Sequence, residues 1–119
     1  MKIRKRILSV FFTVLLICAM AVPTSAAQHT YMGTYETASY EVVDNLYTDH
    51  FSSTTFCSES RLVHSNVEIV DENGQLSIYY GVPRLIASDT AAYMSNAIHS
   101  MNCLHFVENE LVHQYRMQN

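Results

Sequence analysis

Lysine is missing from residues 28–119, tryptophan is missing from the whole chain, and only Gly33, Gly74, Gly81 and Pro83 punctuate that stretch. The lysine gap excludes most. Arg61, Arg84 and Arg116 stand against eleven carboxylates, which leaves residues 28–119 at a formal −8 with the histidines neutral. Nucleic-acid binding works by displacing phosphate counterions with cationic side chains, so it is not expected here. An anionic membrane surface is disfavoured for the same reason. The partner class left open is a protein or a small molecule. The shortage of glycine and proline implies few turns and long elements.

Sequence motifs of catalysis are missing too. There is no Gly-x-Ser-x-Gly, no His-Glu-x-x-His, no glycine-rich phosphate loop and no Cys-x-x-Cys, and so no sign of the reactions those spacings serve. Asp71-Glu72-Asn73-Gly74 lacks the alternating oxygens and terminal glutamate of a calcium loop and reads as a turn. A chain of this size has little room for a cleft, so an enzyme is not expected.

The N-terminus is the most legible segment. Lys2-Ile3-Arg4-Lys5-Arg6 meets an apolar run from Ile7 to Val22, followed by Pro23 and the small residues Thr24, Ser25, Ala26 and Ala27. Basic, apolar and small regions in that order make a secretory signal peptide over residues 1–27. The run is shorter than the roughly 20 residues a membrane-spanning helix needs. Cleavage after Ala27 would leave Gln28 first; cleavage after Ala26 is the alternative. Ile17 precedes Cys18, where lipidation calls for a small residue. The expectation is bacterial-type export through the Sec pathway, with residues 28–119 as one secreted domain. A retained leader, making an envelope-associated structural protein, is the alternative address.

Two cysteines remain past residue 27, Cys57 and Cys103. In an oxidising compartment an even pair predicts a disulfide, nominally about 3–4 kcal/mol of stabilisation by loop closure.

Periodicity predicts an α+β domain, a small antiparallel sheet of about four strands packed on one long C-terminal helix and preceded by the signal-peptide helix. The Tyr-, Thr- and Val-rich run from Thr30 to Tyr47 reads as strand, with a turn or bulge at Asp44-Asn45. His50–Cys57 reads as a second strand, and Arg61 to Val63 leads into a third. Asn73-Gly74 predicts a two-residue hairpin turn. That turn would pair Val70 with Ser77 and Val67 with Tyr80, burying Val67, Ile69, Leu76, Ile78 and Tyr80 on one face. From Thr90 to Gln118 no Gly or Pro occurs, Ser88 or Asp89 could cap a helix, and Met94, Ala97, Met101, Leu104, Leu111 and Tyr115 fall on one stripe at 3.6-residue spacing.

Two candidate sites follow. His99 and Cys103, four residues apart on that helix, could join Cys57 and His50 or His64 in a zinc site, the alternative to a domain without a cofactor. Tyr31, Tyr35, Tyr47 and Tyr79 could form an aromatic binding surface, since tyrosine combines apolar area with a polar tip. The function expected is a small, disulfide-stapled, non-enzymatic binding or interaction domain, with the metal-binding protein as its alternative.

Overall fold

A computed structural model of the protein describes residues 27–119. The segment read as a signal peptide, and the helix expected there, lie outside the described residues but for Ala27. Nine strands occupy the rest: β1 (Ala27–Tyr35), β2 (Ala38–Leu46), β3 (His50–Cys57), β4 (Leu62–Asp71), β5 (Leu76–Tyr80), β6 (Arg84–Leu85), β7 (Ala87–Tyr93), β8 (Ile98–Val107) and β9 (Glu110–Gln118). They form two antiparallel sheets. One has the order β1-β2-β3-β7 and the other β5-β4-β8-β9, with the short β6 also paired to β4. Inward-facing residues of both sheets share the same apolar clusters, so the architecture is a β-sandwich.

The expected C-terminal helix is therefore overturned, and with it the α+β class: no helix occurs among the described residues. The segment read as helix folds into β7, β8 and β9. Its turn is made without glycine. Val107 pairs with Glu110, and the two residues between them, Glu108 and Asn109, take φ of 51° and 64°, the double positive φ of a type I′ hairpin turn. Alternation in β8 is concealed because both faces mix classes. Met101, Cys103, His105 and Val107 point inward, while Ser100, Asn102, Leu104 and Phe106 alternate with them. A 3.6-residue stripe drawn through such a segment is accidental.

The first turn was likewise misplaced. It falls at Glu36-Thr37, between paired Tyr35 and Ala38, with Glu36 at φ 51°. Asp44 and Asn45 lie inside β2. Gly33 allows the close packing that follows, because a Cβ there would overlap the Tyr40 ring. Ile86, at φ 73°, marks where the chain leaves β6 in one sheet for β7 in the other.

The hairpin after β4 forms, but one register step from expectation. Val70 pairs with Leu76, Ile69 with Ser77 and Val67 with Tyr79. Asp71 sets this register. Its Oδ1 accepts hydrogen bonds from the backbone amides of Asn73 and Gln75, both at 2.9 Å, and five residues, an odd number, separate the last partners Val70 and Leu76. A one-residue slip exchanges the faces of a strand. Leu76, Ile78 and Tyr80 consequently lie exposed on the outer face, and Tyr79 turns toward the core.

The core has two apolar clusters. Leu46, Phe51, Val67, Ile69, Met101 and Cys103 centre one; Tyr40, Val42, Cys57, Val63 and Val107 centre the other. The two expected disulfide partners fall in different clusters and are both free, buried thiols. The Cys57–Cys103 staple is not made in this structure.

Candidate functional site

Between the two clusters the inward positions turn polar. Along β2 the sequence of inward side chains is Val42, Asp44, Leu46; along β3 it is Phe51, Ser53, Thr55, Cys57; along β8 it is Cys103, His105, Val107. Each polar member is fully buried, so each needs a partner, and each has one. His105 Nε2 lies 2.9 and 3.0 Å from the two Asp44 carboxylate oxygens. Ser53 donates its hydroxyl to Asp44 at 2.7 Å. His105 Nδ1 is 2.7 Å from the Thr55 hydroxyl, which in turn reaches the His64 carbonyl at 3.3 Å. Thr55 has one proton to give. When it goes to His64, the Thr55 oxygen is left to accept from Nδ1.

The belt continues outward on both sides. Toward β7, Ser65 donates to the Ser53 carbonyl at 3.0 Å, and Thr90 donates to the Ser65 carbonyl at 2.9 Å. A Cβ on Gly81 would collide with that carbonyl and with the Thr90 hydroxyl. Toward the opposite edge, His29 of β1 and His113 of β9 face each other with Nε2 atoms 2.9 Å apart and rings within 9° of parallel. His29 stacks on Tyr115 at 3.6 Å and His113 on Tyr31 at 4.1 Å. Burial lowers the His29 pKa, the Asp44 charge opposing it; burial, then the charges of His29 and His105, lower that of His113. Both rings are shifted toward neutrality, and the N–H···N hydrogen bond between them needs one Nε2 unprotonated to accept. Burial also raises the Cys103 thiol far above its ordinary value, with Asp44 adding to the shift.

Thr55, His105 and Asp44 have the residue types of a nucleophile, base and orienting acid. Their side chains are sealed, however: each is 0% exposed, so no substrate reaches the hydroxyl and the arrangement holds the sheets together instead.

The surface offers a different arrangement at one end of the sandwich. Tyr93, the last residue of β7, is 79% exposed. It stacks at 4.6 Å on His50, whose other face stacks at 4.0 Å on Tyr47, and Asp49 Oδ1 holds His50 Nδ1 at 2.8 Å. One groove beside this column, of about 300 Å³, is lined by Tyr47, His50, Phe51 and Tyr93 with Ser52, Ala91 and Ala92. On the other flank lies a polar groove of about 370 Å³, lined by Asp71, Gln75, Ser77, Tyr79, Tyr93 and residues 94–96. The 94–97 segment between them is pinned on both sides. Met94 and Ile98 donate backbone hydrogen bonds to Asp49 and Thr48 carbonyls, and Glu72 donates to Ala97. Asn96 Nδ2 reaches Asp71 Oδ2 at 3.4 Å. A larger open groove, about 440 Å³, runs over the outer face of the second sheet past Glu68, Asn102 and Arg116. There Asn102 donates to Glu68 at 2.7 Å and Gln114 donates to Asn102 at 3.3 Å, so these three side chains are already paired with one another.

The residues singled out from sequence are dispersed. His99 is exposed, Cys103 and Cys57 are buried in separate clusters, His50 stacks between two tyrosines, and His64 stacks at 4.6 Å on Phe106 on the outer face of the second sheet. That zinc set does not converge, and no group of three His, Cys, Asp or Glu side chains suited to a metal ion occurs among the described residues. Of the tyrosines, Tyr31 belongs to the histidine stack, Tyr35 lies under Arg61 at 5.5 Å, Tyr47 is buried, and Tyr79 donates to the Met94 sulfur. Only Tyr47 and Tyr79 adjoin the grooves. Sequence reasoning missed Tyr93 and Asn96 at the surface, the buried Asp71 beside them, and Asp44, Ser53, Thr55 and His105 inside; Asp44 was legible only as a polar residue on the buried parity of a strand.

No protein family matches this chain, and no characterised protein or solved structure is significantly similar to it.

Proposed function

We propose that the protein is exported and acts as a non-enzymatic binding domain through the end of the sandwich built around Tyr93. The observation that carries this reading is a large, exposed aromatic ring held rigid on a stacked column and flanked by two grooves. Exposed aromatics that cost little to order are favoured recognition elements. The buried belt supports the same reading: the residues best suited to catalysis are out of reach, while the accessible surface is preorganised for contact. The charge of residues 28–119 disfavours polyanions and favours neutral or cationic partners.

The test has two arms. The full chain is expressed in a bacterial host and the exported protein sequenced from its N-terminus; Gln28 or Ala27 first is expected, and an intact Met1 confined to the cell fraction sinks export. The exported protein is then incubated with cell-envelope material, and its retention compared with Tyr93→Ala. Retention lost in the variant supports the reading; equal retention of both overturns it.

A further inference from the structure

We infer that the ligand of the Tyr93 end is a neutral saccharide chain, lying across the Tyr93 ring with one sugar in the polar groove. This rests on the binding reading above and specifies its chemistry.

Four observations narrow the class. First, the polar groove contains no cation: its members are one carboxylate, two amides, hydroxyls and a thioether. Nothing there would hold a phosphate, sulfate or carboxylate. Second, the single carboxylate is occupied. Asp71 accepts from Asn73, Gln75 and Asn96, and these bonds, led by the one from Gln75, lower its pKa. It is a fixed acceptor rather than a free charge seeking a cation. Third, the remaining groups, Gln75, Ser77 and Asn96, offer donors and acceptors side by side, which suits a ligand carrying hydroxyls that do both. Fourth, the neighbouring surface is an aromatic face. Tyr93 has one side on His50 and is otherwise open. The negative face of an aromatic ring attracts polarised C–H groups, and a pyranose presents a row of them on one side and hydroxyls around its rim. An apolar ligand would leave the amides unpaired, which is costly, and a peptide side chain would use the aromatic face but not the hydroxyl-rich wall.

Size agrees. Each groove meets the lower bound of ordinary ligand sites, and they share Tyr93, so a chain of several sugars can run from one to the other with the ring as the ridge between. The apolar groove, with Phe51, Ala91 and Ala92, fits the flatter, C–H-bearing part of such a chain. The tethering of the 94–97 segment to both neighbouring loops means little ordering is needed on binding.

The experiment is an amide NMR titration of the isotope-labelled exported protein with neutral tetrasaccharides of glucose, mannose and N-acetylglucosamine, with a galacturonic acid tetrasaccharide as the charged control. Saturable shifts at Tyr93, Asn96, Gln75 and Ser77 are expected with at least one neutral chain and not with the control. Tyr93→Ala should weaken that binding by about tenfold or more. Tyr93→Phe, which keeps the ring, should retain it, and Asn96→Ala should weaken it less than Tyr93→Ala. Spectra of the free variants, unchanged away from the site, guard against misfolding. Three results overturn the inference: no neutral sugar perturbs these amides, the charged control binds equally well, or the shifts lie in the groove of Glu68, Asn102 and Arg116. If sugars are silent while Tyr93→Ala still abolishes envelope retention, the ligand class falls and the binding surface stands. If Tyr93→Ala leaves retention intact, the binding surface itself falls.

Discussion

Strand β2 carries two buried carboxylates three residues apart, one on each face. Asp44 points inward and is 0% exposed; Glu41 points outward, between Met32 of β1 and Phe56 of β3 in the pairing, and is 2% exposed. Asp44 accepts hydrogen bonds from Ser53 and His105. Neither oxygen of Glu41 has a hydrogen-bond partner among the described residues, and burial raises its pKa. Equal burial thus produces opposite consequences. A carboxylate inside a protein is tolerated in proportion to what it is bonded to, and the inner face of β2 provides those bonds while the outer face does not.

The largest expected break of this contrast is Asp44→Ala, which leaves His105 and Ser53 buried without their acceptor. A loss of about 3–5 kcal/mol is expected, the usual result of removing one partner of a buried pair, measured by chemical denaturation of the full chain. A loss below about 1 kcal/mol would mean the belt is not what joins the sheets. Glu41→Gln should move stability the other way, upward by about 1 kcal/mol, because it removes a charge that has no hydrogen-bond partner among the described residues.

A smaller effect separates the two sides by pH. His29 and His113 have folded-state pKa values below the ordinary 6.5. The unfolded chain therefore takes up protons first, so their contribution is complete above about pH 6.5 and is lost as pH falls below it. Glu41 works in reverse. Its folded pKa lies above 4.5, so its unfavourable contribution fades as pH falls through that raised value. Melting temperature should decline from pH 7 to pH 5, less steeply when His29 and His113 are both replaced by Asn, and more steeply in Glu41→Gln. A flat profile in the parent protein contradicts the histidine account. The smallest effect belongs to Tyr93→Ala, which touches neither cluster nor belt and should leave stability within about 0.5 kcal/mol; a larger drop would make Tyr93 a structural residue.

Two elements in the first half of the fold were legible in the sequence, while the β1–β2 hairpin was hidden inside what reads as one strand. His50–Cys57 is a strand with the bounds its β-branched and aromatic residues suggest, and the Asn73-Gly74 hairpin exists. Its register was not legible, because an aspartate side chain, rather than the Asn-Gly pair, dictates the loop length. The second half was illegible for one physical reason expressed twice. Strand periodicity depends on apolar residues marking the buried face, and the belt places Ser65 and His105 on that face while Leu104 and Phe106 sit opposite. Hairpin turns are recognised by glycine, and Glu108-Asn109 adopts the same backbone without it. Tyr93 could not be separated from seven other tyrosines until the fold placed it at a strand end between two grooves.

The belt also has a consequence measured in time. Its partners are far apart along the chain: Asp44 and His105 by 61 residues, His29 and His113 by 84. Neither bond can form until both sheets are nearly complete, and a topology governed by such distant pairings folds slowly for its size. Under the export proposed above, the chain would thread a narrow channel before folding, and a delay built into the last interactions to form would keep it fit for passage.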